Sequence, residues 1–363
     1  MNNSRPLRVG IVGGAWRGQY FARLSRHFPQ DLECIGIVAR REETRQEIAD
    51  QLNVPTYSSL EDLLRAGTPD FVITSVSWSA NPAILEELVS RGIPVLSETP
   101  PAPDLPTMRQ LWERVGASGL VQVAEQYLQM PTHAARRTAV HRGVIGEVSS
   151  VQISSTHLYH AVSVIRGMLG VSFEQATVSA RRFTGPLINP STRAGWTRDL
   201  TPHPASTTIA TLEFSSGRSA LYDFTDNQSR NHLRSRRLVI RGSSGEIDGD
   251  QVVRLLDEET ILHSRITRHQ SGYELDHEGF DTTHLSLDGQ LLWRQPFPGL
   301  RLNDEDIAMS SMMLSMTRWV RNQGPAPYPL AEAAQDFLLG LAIIQSVDTG
   351  ALVTTHREAW SPE

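Results

Sequence analysis

The chain of 363 residues contains no lysine, and all 34 of its basic residues are arginine. A GC-rich genome, which favours arginine codons, explains this bias more simply than selection against lysine. The absence still excludes some chemistry, because no lysine can act as a general acid or form a Schiff base with a carbonyl compound. Proton transfer in any reaction of this protein must therefore use another residue type.

Cysteine is almost absent as well. The single Cys34 cannot form an internal disulfide bond, so we expect a reducing compartment. No apolar run approaches the roughly 20 residues that span a bilayer, and the first residues lack the apolar core of a signal peptide. The expectation is a soluble, cytoplasmic protein with no membrane partner.

Positive charge is in deficit, with 40 acidic residues and a formal net charge of −6. A nucleic-acid-binding protein needs a basic face that replaces phosphate counterions, so no nucleic-acid partner is expected. The twelve histidines do not fall into metal-binding spacings with one another or with Cys34. We therefore predict no metal site.

Residues 1–125 alternate apolar strands with helices at regular spacing, which predicts a parallel Rossmann sheet with helices on both faces. Ligands of such sheets bind beyond the carboxyl ends of the strands. The predicted strands include Leu7–Val12, Leu32–Ala39, Asp70–Ser75, Pro94–Glu98 and Leu120–Ala124.

The turn after the first strand reads Gly13-Gly14-Ala15-Trp16-Arg17-Gly18. In a dinucleotide-binding turn the first glycine permits the bend, the second lets the backbone approach the pyrophosphate, and the third lets helix and strand pack. Gly13 and Gly18 occupy the first and third positions, while Ala15 occupies the second. The turn indicates dinucleotide binding, and an ordinary tight turn between strand and helix is the alternative.

The second strand is followed by Arg40 and Arg41, where an NAD-binding domain would carry an acidic residue for the ribose 2′-hydroxyl. Two guanidinium groups suit the 2′-phosphate of NADP, which they can bind in a bidentate manner. We therefore favour NADP over NAD as the cofactor. The alternative is that both arginines only begin a solvated helix.

Residues 126–363 change to alternating strands separated by glycine-containing turns, which predicts an α+β domain with a large, mostly antiparallel, open sheet. Residues Phe183–Ser206, rich in proline, glycine and threonine, are predicted to form a long loop. Helices are predicted over Asp304–Arg321 and Leu330–Asp348, which either cover the sheet or pack on the first domain. The open sheet leads us to expect a homodimer or homotetramer.

Several motifs together resemble the glucose-fructose oxidoreductase and inositol dehydrogenase superfamily (Gfo/Idh/MocA). Arg91–Pro100 is similar to the Gly-x-x-Val-x-x-Glu-Lys-Pro segment of that family, Gly143–Val148 to the turn that opens its second domain, and Gln345–Gly350 to its closing helix. The resemblance implies a cofactor site on the Rossmann domain. Its expected residues are Gly13, Gly14, Ala15, Trp16, Arg17, Gly18, Arg40, Arg41, Ser75, Val76, Asn81, Glu98, Thr99 and Pro100.

The chain departs from the family where the family carries polar chemistry. Thr99 replaces the lysine of Glu-Lys-Pro, Thr156 replaces an aspartate that precedes a histidine by four residues, and Asn81 replaces a common histidine. The histidine itself corresponds to His160, with Gly170 ten residues later, as in the family. The family reaction moves a hydride between nicotinamide and a carbinol carbon of a sugar or cyclitol, and it needs a group that takes the hydroxyl proton.

The predicted proton-transfer residues are His160, Tyr127 and His157, because imidazole titrates near neutral pH and Tyr127 follows the last Rossmann strand. His160 could instead support the domain interface, and Tyr127 could simply pack at the domain junction. If the strand that begins at Val148 continues to His160, His157 and Tyr159 point to one face and His160 to the other.

A basic cluster runs from Arg230 to Arg237, and Asp223 and Asp226 precede it. The cluster is either a clamp for an anionic substrate, such as a carboxylated or phosphorylated sugar, or an exposed loop or subunit contact. Asp223 and Asp226 could face the site, although a solvated face suits Asp223 equally well.

Three functions fit the sequence. The leading hypothesis is an NAD(P)-dependent oxidoreductase that acts on a sugar-like or other small polar carbonyl or hydroxyl compound. The second is an NAD-dependent glycosidase or lyase that oxidises its substrate transiently with a tightly held cofactor, as the resemblance to family members without the Glu-Lys-Pro lysine implies. The third is a non-catalytic dinucleotide-binding sensor.

Overall fold

The computed structural model describes residues 5–192, 194–272 and 281–362. The chain forms two compact units, one of Met1–Gln129 with Leu302–Ala334 and one of Met130–Arg301 with Gln335–Glu363. The sequence placed the boundary after Glu125, and in the structure it follows Gln129. Residues 302–334 return to the first unit.

The helices, in chain order, are α1 (Trp16–Ser25), α2 (Glu42–Leu52), α3 (Leu60–Ala66), α4 (Asn81–Ser90), α5 (Leu105–Val115), α6 (Pro131–His141), α7 (Leu158–Leu169), α8 (Asp304–Val320) and α9 (Leu330–Thr349). The strands are β1 (Leu7–Val12), β2 (Leu32–Val38), β3 (Thr56–Tyr57), β4 (Phe71–Thr74), β5 (Val95–Ser97), β6 (Val121–Val123), β7 (Val148–Ile153), β8 (Ala176–Leu187), β9 (Ser191–Thr192), β10 (Gly195–Trp196), β11 (His203–Phe214), β12 (Ser219–Thr225), β13 (Leu238–Gly242), β14 (Gly245–Asp248), β15 (Gln251–Leu255), β16 (Ile261–Arg265), β17 (Thr267–Gln270), β18 (Thr282–Leu287), β19 (Gln290–Arg294) and β20 (Val353–Thr354).

The first unit is a six-stranded sheet of order β3-β2-β1-β4-β5-β6, and every pair is parallel. Strands β4, β5 and β6 are buried along their whole length, which is typical of a sheet covered on both faces. Helix α8 supplies Met309, Met312, Met313 and Met316 to the same core as β1 and β2. The predicted Rossmann sheet is confirmed.

The second unit contains a nine-stranded sheet of order β16-β15-β14-β13-β7-β12-β11-β8-β20. Its pairs are antiparallel except β12 with β7, which is parallel. Helix α7 packs on β7. The second unit also contains a three-stranded sheet of order β17-β18-β19 and the two-stranded hairpin β9–β10. The predicted class, a Rossmann sheet followed by a mostly antiparallel α+β domain, is confirmed.

The predicted loop Phe183–Ser206 was wrong. Strands β8 and β11 pair continuously from Leu187 opposite His203 to Ala176 opposite Phe214, and only the short hairpin β9–β10 separates them. Pro186 and Pro204 lie in the outer part of this ribbon, where neither strand has a second neighbour. Proline is tolerated at such sheet edges because no ladder hydrogen bond is lost. A segment with the amino-acid composition that is typical of loops therefore forms strands here.

Among the described residues, one helix has the length and composition that could span a membrane, and the expectation of no membrane partner stays a prediction. This helix is α9, and 67% of its most apolar stretch is buried within the protein. Glu332 and Asp336 interrupt the apolar run within this helix. Burial of this extent is that of a core helix in a globular protein.

Candidate functional site

The carboxyl ends of four Rossmann strands lie side by side and form one edge of the first unit. Hydrogen bonds continue the ladder beyond the strands: Ser75 N–H donates to Val12 O at 2.7 Å, Glu98 N–H to Thr74 O at 2.9 Å and Ala124 N–H to Ser97 O at 2.8 Å. The residues that follow β1, β4, β5 and β6 are therefore neighbours. This is the edge at which ligands of parallel sheets bind.

The glycine turn after β1 needs glycine for two different reasons. Gly13 has a φ of +126°, and a Cβ there would lie 2.0 Å from Ser75 O. A Cβ on Gly18, in the first turn of α1, would lie 1.9 Å from Gly13 O. These close approaches correspond to the first and third glycines of a dinucleotide-binding turn.

The amino end of α1 suits an anion. Ala15 is its N-cap and makes no side-chain hydrogen bond, and the first turn carries no acidic residue. The first N–H groups of a helix lack partners within the helix, and the helix dipole favours negative charge there. The residues present therefore fit a dinucleotide, whose pyrophosphate Gly14, Ala15 and the following N–H groups would hold.

Arg40 and Arg41 follow β2 at the same edge, and Arg41 is the N-cap of α2. Both side chains are exposed, and neither makes a hydrogen bond or ion pair within the described ranges. Arg45 instead donates to Ala39 O at 2.9 Å and to Arg40 O at 2.7 Å and pairs with Glu42. Two guanidinium groups thus remain available beyond the strand where an NAD-binding domain carries a carboxylate.

The segment after β5 is held by a charged network. Arg17 Nε donates to Glu98 Oε1, while the N–H of Thr99 donates to Glu98 Oε2 at 2.9 Å and its hydroxyl to the same atom at 3.3 Å. Arg17 also donates to Glu305 at 2.8 Å, and its guanidinium lies 4.9 Å from the centre of the Tyr20 ring. Both oxygens of Glu98 are therefore engaged, and Thr99 is oriented toward that carboxylate.

Asn81 supports this segment from below the edge. It is 3% exposed, and its amide donates to Ser97 Oγ at 2.9 Å and to Pro101 O at 3.0 Å. Asn81, which was predicted at the cofactor site, therefore holds the segment that contains Thr99 and Pro100 in place. Ser75 and Val76 are half-buried at the start of the β4–α4 loop.

Two tryptophans near this edge are largely exposed. Trp16 is 50% exposed and Trp78 is 58% exposed. Trp16 was predicted from the glycine turn, whereas Trp78, in the loop between β4 and α4, was not. A large apolar side chain in a loop directly after a Rossmann strand is the signal that could have found it.

Glu125 and Tyr127 follow β6. Glu125 is 2% exposed, and its Oε1 accepts the N–H of Tyr127 at 3.1 Å. Tyr127 begins a single 3₁₀ turn, Tyr127–Gln129, and is half-buried. The buried carboxylate of Glu125 thus holds the backbone of Tyr127 at the end of β6, next to the end of β5.

The strand does not continue to His157 and His160, so the alternating faces expected in that case are not found. Strand β7 ends at Ile153, and α7 begins at Leu158 with His157 as its N-cap. One turn of helix brings the two imidazole rings together, with centres 5.2 Å apart and planes at 87°. Tyr159, predicted to share a face with His157, instead has its ring 5.6 Å from that of His160.

A cavity of about 550 Å³ opens at this end of α7 in the second unit, and His157, Leu158, Tyr222 and Phe224 are among the residues that line it. Leu158 has a φ of +31°, which L-residues rarely adopt, and such strain is common at functional sites. Its N–H donates to the Tyr222 hydroxyl at 3.1 Å. Burial, with a smaller contribution from Asp226, raises the pKa of Tyr222 to about 12, so its hydroxyl stays protonated.

Of the basic cluster, only Arg230 lines this cavity. Arg236 donates to Ser229 O, and Arg237 pairs with Asp223 at 3.7 Å. The cavity takes its second arginine, Arg182, from β8, directly before the segment that was wrongly predicted as a loop. Asp226 also lines it. Among the residues described, no group of three or more histidine, cysteine, aspartate or glutamate side chains could hold a metal ion.

Residues 7–126 match the oxidoreductase family with an NAD-binding Rossmann fold, Gfo/Idh/MocA. Over these residues the resemblance seen in the sequence is confirmed.

Two curated relatives match over 156 residues. An inositol 2-dehydrogenase 4 of Saccharopolyspora erythraea is 30% identical over 40% of this chain. An uncharacterized protein of Saccharomyces cerevisiae is 26% identical over 42% of this chain. The chain covers 44% of the length of each relative.

The fold extends over nearly the whole chain. A crystal structure of an oxidoreductase from Agrobacterium radiobacter, in complex with NAD⁺, L-tartaric acid and magnesium, is similar with a TM-score of 0.71 and 15% identity. The similarity covers 96% of this chain and 98% of that one. Both units therefore have the architecture of this oxidoreductase.

Proposed function

We propose that this protein is an oxidoreductase that prefers NADP(H) and acts on a sugar-like or other small polar carbonyl or hydroxyl compound. The observation that carries the cofactor preference is the pair Arg40 and Arg41, whose guanidinium groups have no partner in the part of the chain that the structure describes. Arginine binds phosphate in a bidentate manner. No carboxylate stands directly after β2 to bind the 2′-hydroxyl of NAD.

The residues divide the work between binding and proton transfer. Gly13, Gly18 and the amino end of α1 would hold the pyrophosphate, and the nicotinamide supplies or accepts the hydride when it is bound. Thr99 cannot take the proton, because a threonine hydroxyl does not titrate near neutral pH and this one donates to Glu98. His160 or Tyr127 is the proton-transfer group that we propose, with His157 against the ring of His160.

The test is a double variant, Arg40→Ala with Arg41→Ala, measured by calorimetric titration with NADPH and NADH. A hydrogen bond to a charged group contributes about 1.5–3 kcal/mol, so NADPH affinity should fall by at least about tenfold. NADH affinity should change by less than about threefold. Arg23→Ala with Arg26→Ala, at the other end of α1, removes the same charge and should leave both affinities unchanged. Equal losses for NADPH and NADH would overturn the preference for NADP.

The replacement of the lysine by Thr99 also supports a second candidate, a glycosidase or lyase that oxidises its substrate transiently and returns the hydride. Such an enzyme shows no net redox change and keeps its cofactor during purification. Cofactor absorbance in the purified protein, with no turnover of added NADPH, would favour this function. Cofactor binding without any reaction across a panel of sugars would favour a sensor.

We also propose a homodimer or homotetramer. Phe183 and Ile209, on one face of the nine-stranded sheet, are 57% and 40% exposed, and Trp196 in the hairpin β9–β10 is 76% exposed. Apolar side chains grouped in this way on a sheet are typical of protein contacts. Light scattering after size-exclusion chromatography tests the assembly, and Phe183→Glu with Trp196→Glu should yield a monomer.

A further inference from the structure

We propose, resting on the oxidoreductase function above, that the cavity at the amino end of α7 binds the anionic group of a polyhydroxylated substrate. The group is a carboxylate or a phosphate, and Arg182 and Arg230 bind it. The substrate would then be an acidic or phosphorylated sugar rather than a neutral one.

The two arginines come from separate parts of the second unit and meet at one cavity. Arg182 lies on β8, directly across from Thr208 on β11, which in turn lies across from Phe224 on β12. Arg230 lies in the turns that follow β12. All four side chains line the cavity. The register of the sheet thus brings Arg182 to the cavity, and the turns after β12 bring Arg230 to it.

The guanidinium groups of Arg182 and Arg230 differ from those of other arginines in this unit. Arg136, Arg166, Arg218 and other arginines of the same unit pair with carboxylates. Within the described ranges, the side chains of Arg182 and Arg230 have no ion pair or hydrogen bond. Guanidinium groups left without partners at a concave surface are suited to a carboxylate or phosphate ligand.

The charge balance of the cavity is positive. Asp226 is the carboxylate among its lining residues, against two arginines. One oxygen of Asp226 already accepts the N–H of Ser206 at 3.0 Å. The first turn of α7 carries no acidic residue, so the helix dipole adds to the attraction for an anion.

The remaining walls fit the rest of a sugar. Ser206, Thr208 and Ser229 present hydroxyl-bearing side chains, while Ile343 and Val347 of α9 supply an apolar wall. A volume of about 550 Å³ lies within the range of small-molecule sites. His157 is part of the same lining, and its ring contacts that of His160. An anion held by the arginines would thus place the rest of the molecule near the proposed proton-transfer histidines.

The test compares three probes, D-glucuronate, D-glucose 6-phosphate and D-glucose, by calorimetric titration in the presence of saturating NADPH. We expect at least one anion to bind about tenfold or more tightly than glucose, and the two anions separate a carboxylate site from a phosphate site. Arg182→Gln with Arg230→Gln should remove that advantage and leave glucose binding unchanged. Arg234→Gln, an exposed arginine of the same segment, is the control and should change nothing.

Equal affinities for all three probes, or an anion preference that survives the double variant, would overturn the proposal. NADPH titration of the double variant separates this failure from a failure of the proposed function. If NADPH binds normally while no anion binds better than glucose, the oxidoreductase stands and the anionic substrate does not. Circular dichroism confirms that the double variant is folded, and Arg182→Lys with Arg230→Lys, which keeps the charge, should retain part of the anion preference.

Discussion

Breaking the ion pair between Arg166 of α7 and Asp336 of α9 should strongly destabilise the second unit. The two side chains are 4% and 0% exposed, and Arg166 donates to Asp336 at 2.7 Å. Arg166 also donates twice to Ser172 O, at 3.1 and 2.9 Å. Asp336→Asn keeps the shape of the side chain and removes the negative charge that lies against the buried guanidinium.

The expected cost follows from burial. Removing one partner of a buried ion pair costs about 3–5 kcal/mol, because the remaining charge is not compensated. For a unit of about 200 residues, 1 kcal/mol lowers the melting temperature by roughly 2–4 °C. Asp336→Asn should therefore lower the melting temperature of this unit by roughly 6–20 °C. Glu147→Gln breaks the more exposed pair with Arg218 and should cost less than about 1 kcal/mol.

Differential scanning calorimetry at pH 7 measures both variants, and saturating NADPH distinguishes the transition of the first unit. The double variant Arg166→Met with Asp336→Leu removes both charges and should recover most of the lost stability, since burying two charges is itself costly. A change below about 1 kcal/mol for Asp336→Asn would refute the reasoning. So would a double variant that is less stable than Asp336→Asn alone.

Three further outcomes are expected. Thr99→Lys should place an ammonium beside Glu98 and raise NADPH-dependent turnover of a sugar panel; loss of an existing activity would show that threonine serves another chemistry. Gly18→Ala should lower the free energy of unfolding by about 1–3 kcal/mol through overpacking and weaken NADPH binding, because its Cβ would meet Gly13 O at 1.9 Å. Gly185→Ala is the control and should be neutral in calorimetry, because its Cβ would meet no atom within 4 Å. Burial lowers the pKa of His133 to about 3, so below its ordinary pKa of 6.5 only the unfolded chain takes up this proton. From this group alone, the free energy of unfolding should fall by about 1.4 kcal/mol per pH unit as the pH decreases from 6.5 toward 3. Urea titrations of His133→Gln at several pH values should show a correspondingly weaker dependence of the unfolding free energy on pH.

The Rossmann sheet was predictable because its signals are local. The run Leu7–Val12, the glycines after it and the helix at Glu42–Leu52 each follow from short-range patterns, and the structure places them within a residue or two of the prediction. The second unit depends on long-range pairing. Strand β8 pairs with β11 through its proline-containing end, and no local pattern in a proline-rich segment indicates a partner some 20 residues away.

Some residues of the candidate site were likewise indicated by local patterns, whereas others depend on the folded structure. Gly13, Gly18 and Arg40 were found from their spacing relative to predicted strands. Arg182 was missed because its place at the cavity depends on the long-range pairing of β8 with β11, which brings it opposite Thr208. The contact between His157 and His160 was missed because it depends on where the helix begins, and helix ends are the least certain feature of a sequence pattern.

The structure sharpens the significance of Thr99. Glu98 has one oxygen engaged by Arg17 and the other by the N–H and hydroxyl of Thr99, so it serves as an anchor for this segment. A lysine at position 99 would have brought a titratable group to the edge of the sheet, whereas threonine brings a hydroxyl already committed to Glu98. In the proposed reaction, the proton of a substrate hydroxyl passes to a group outside the Glu98–Pro100 segment. Tyr127 follows β6 beside this edge, and His160 lies in the first turn of α7; these are the two residues that we propose for proton transfer in place of a lysine.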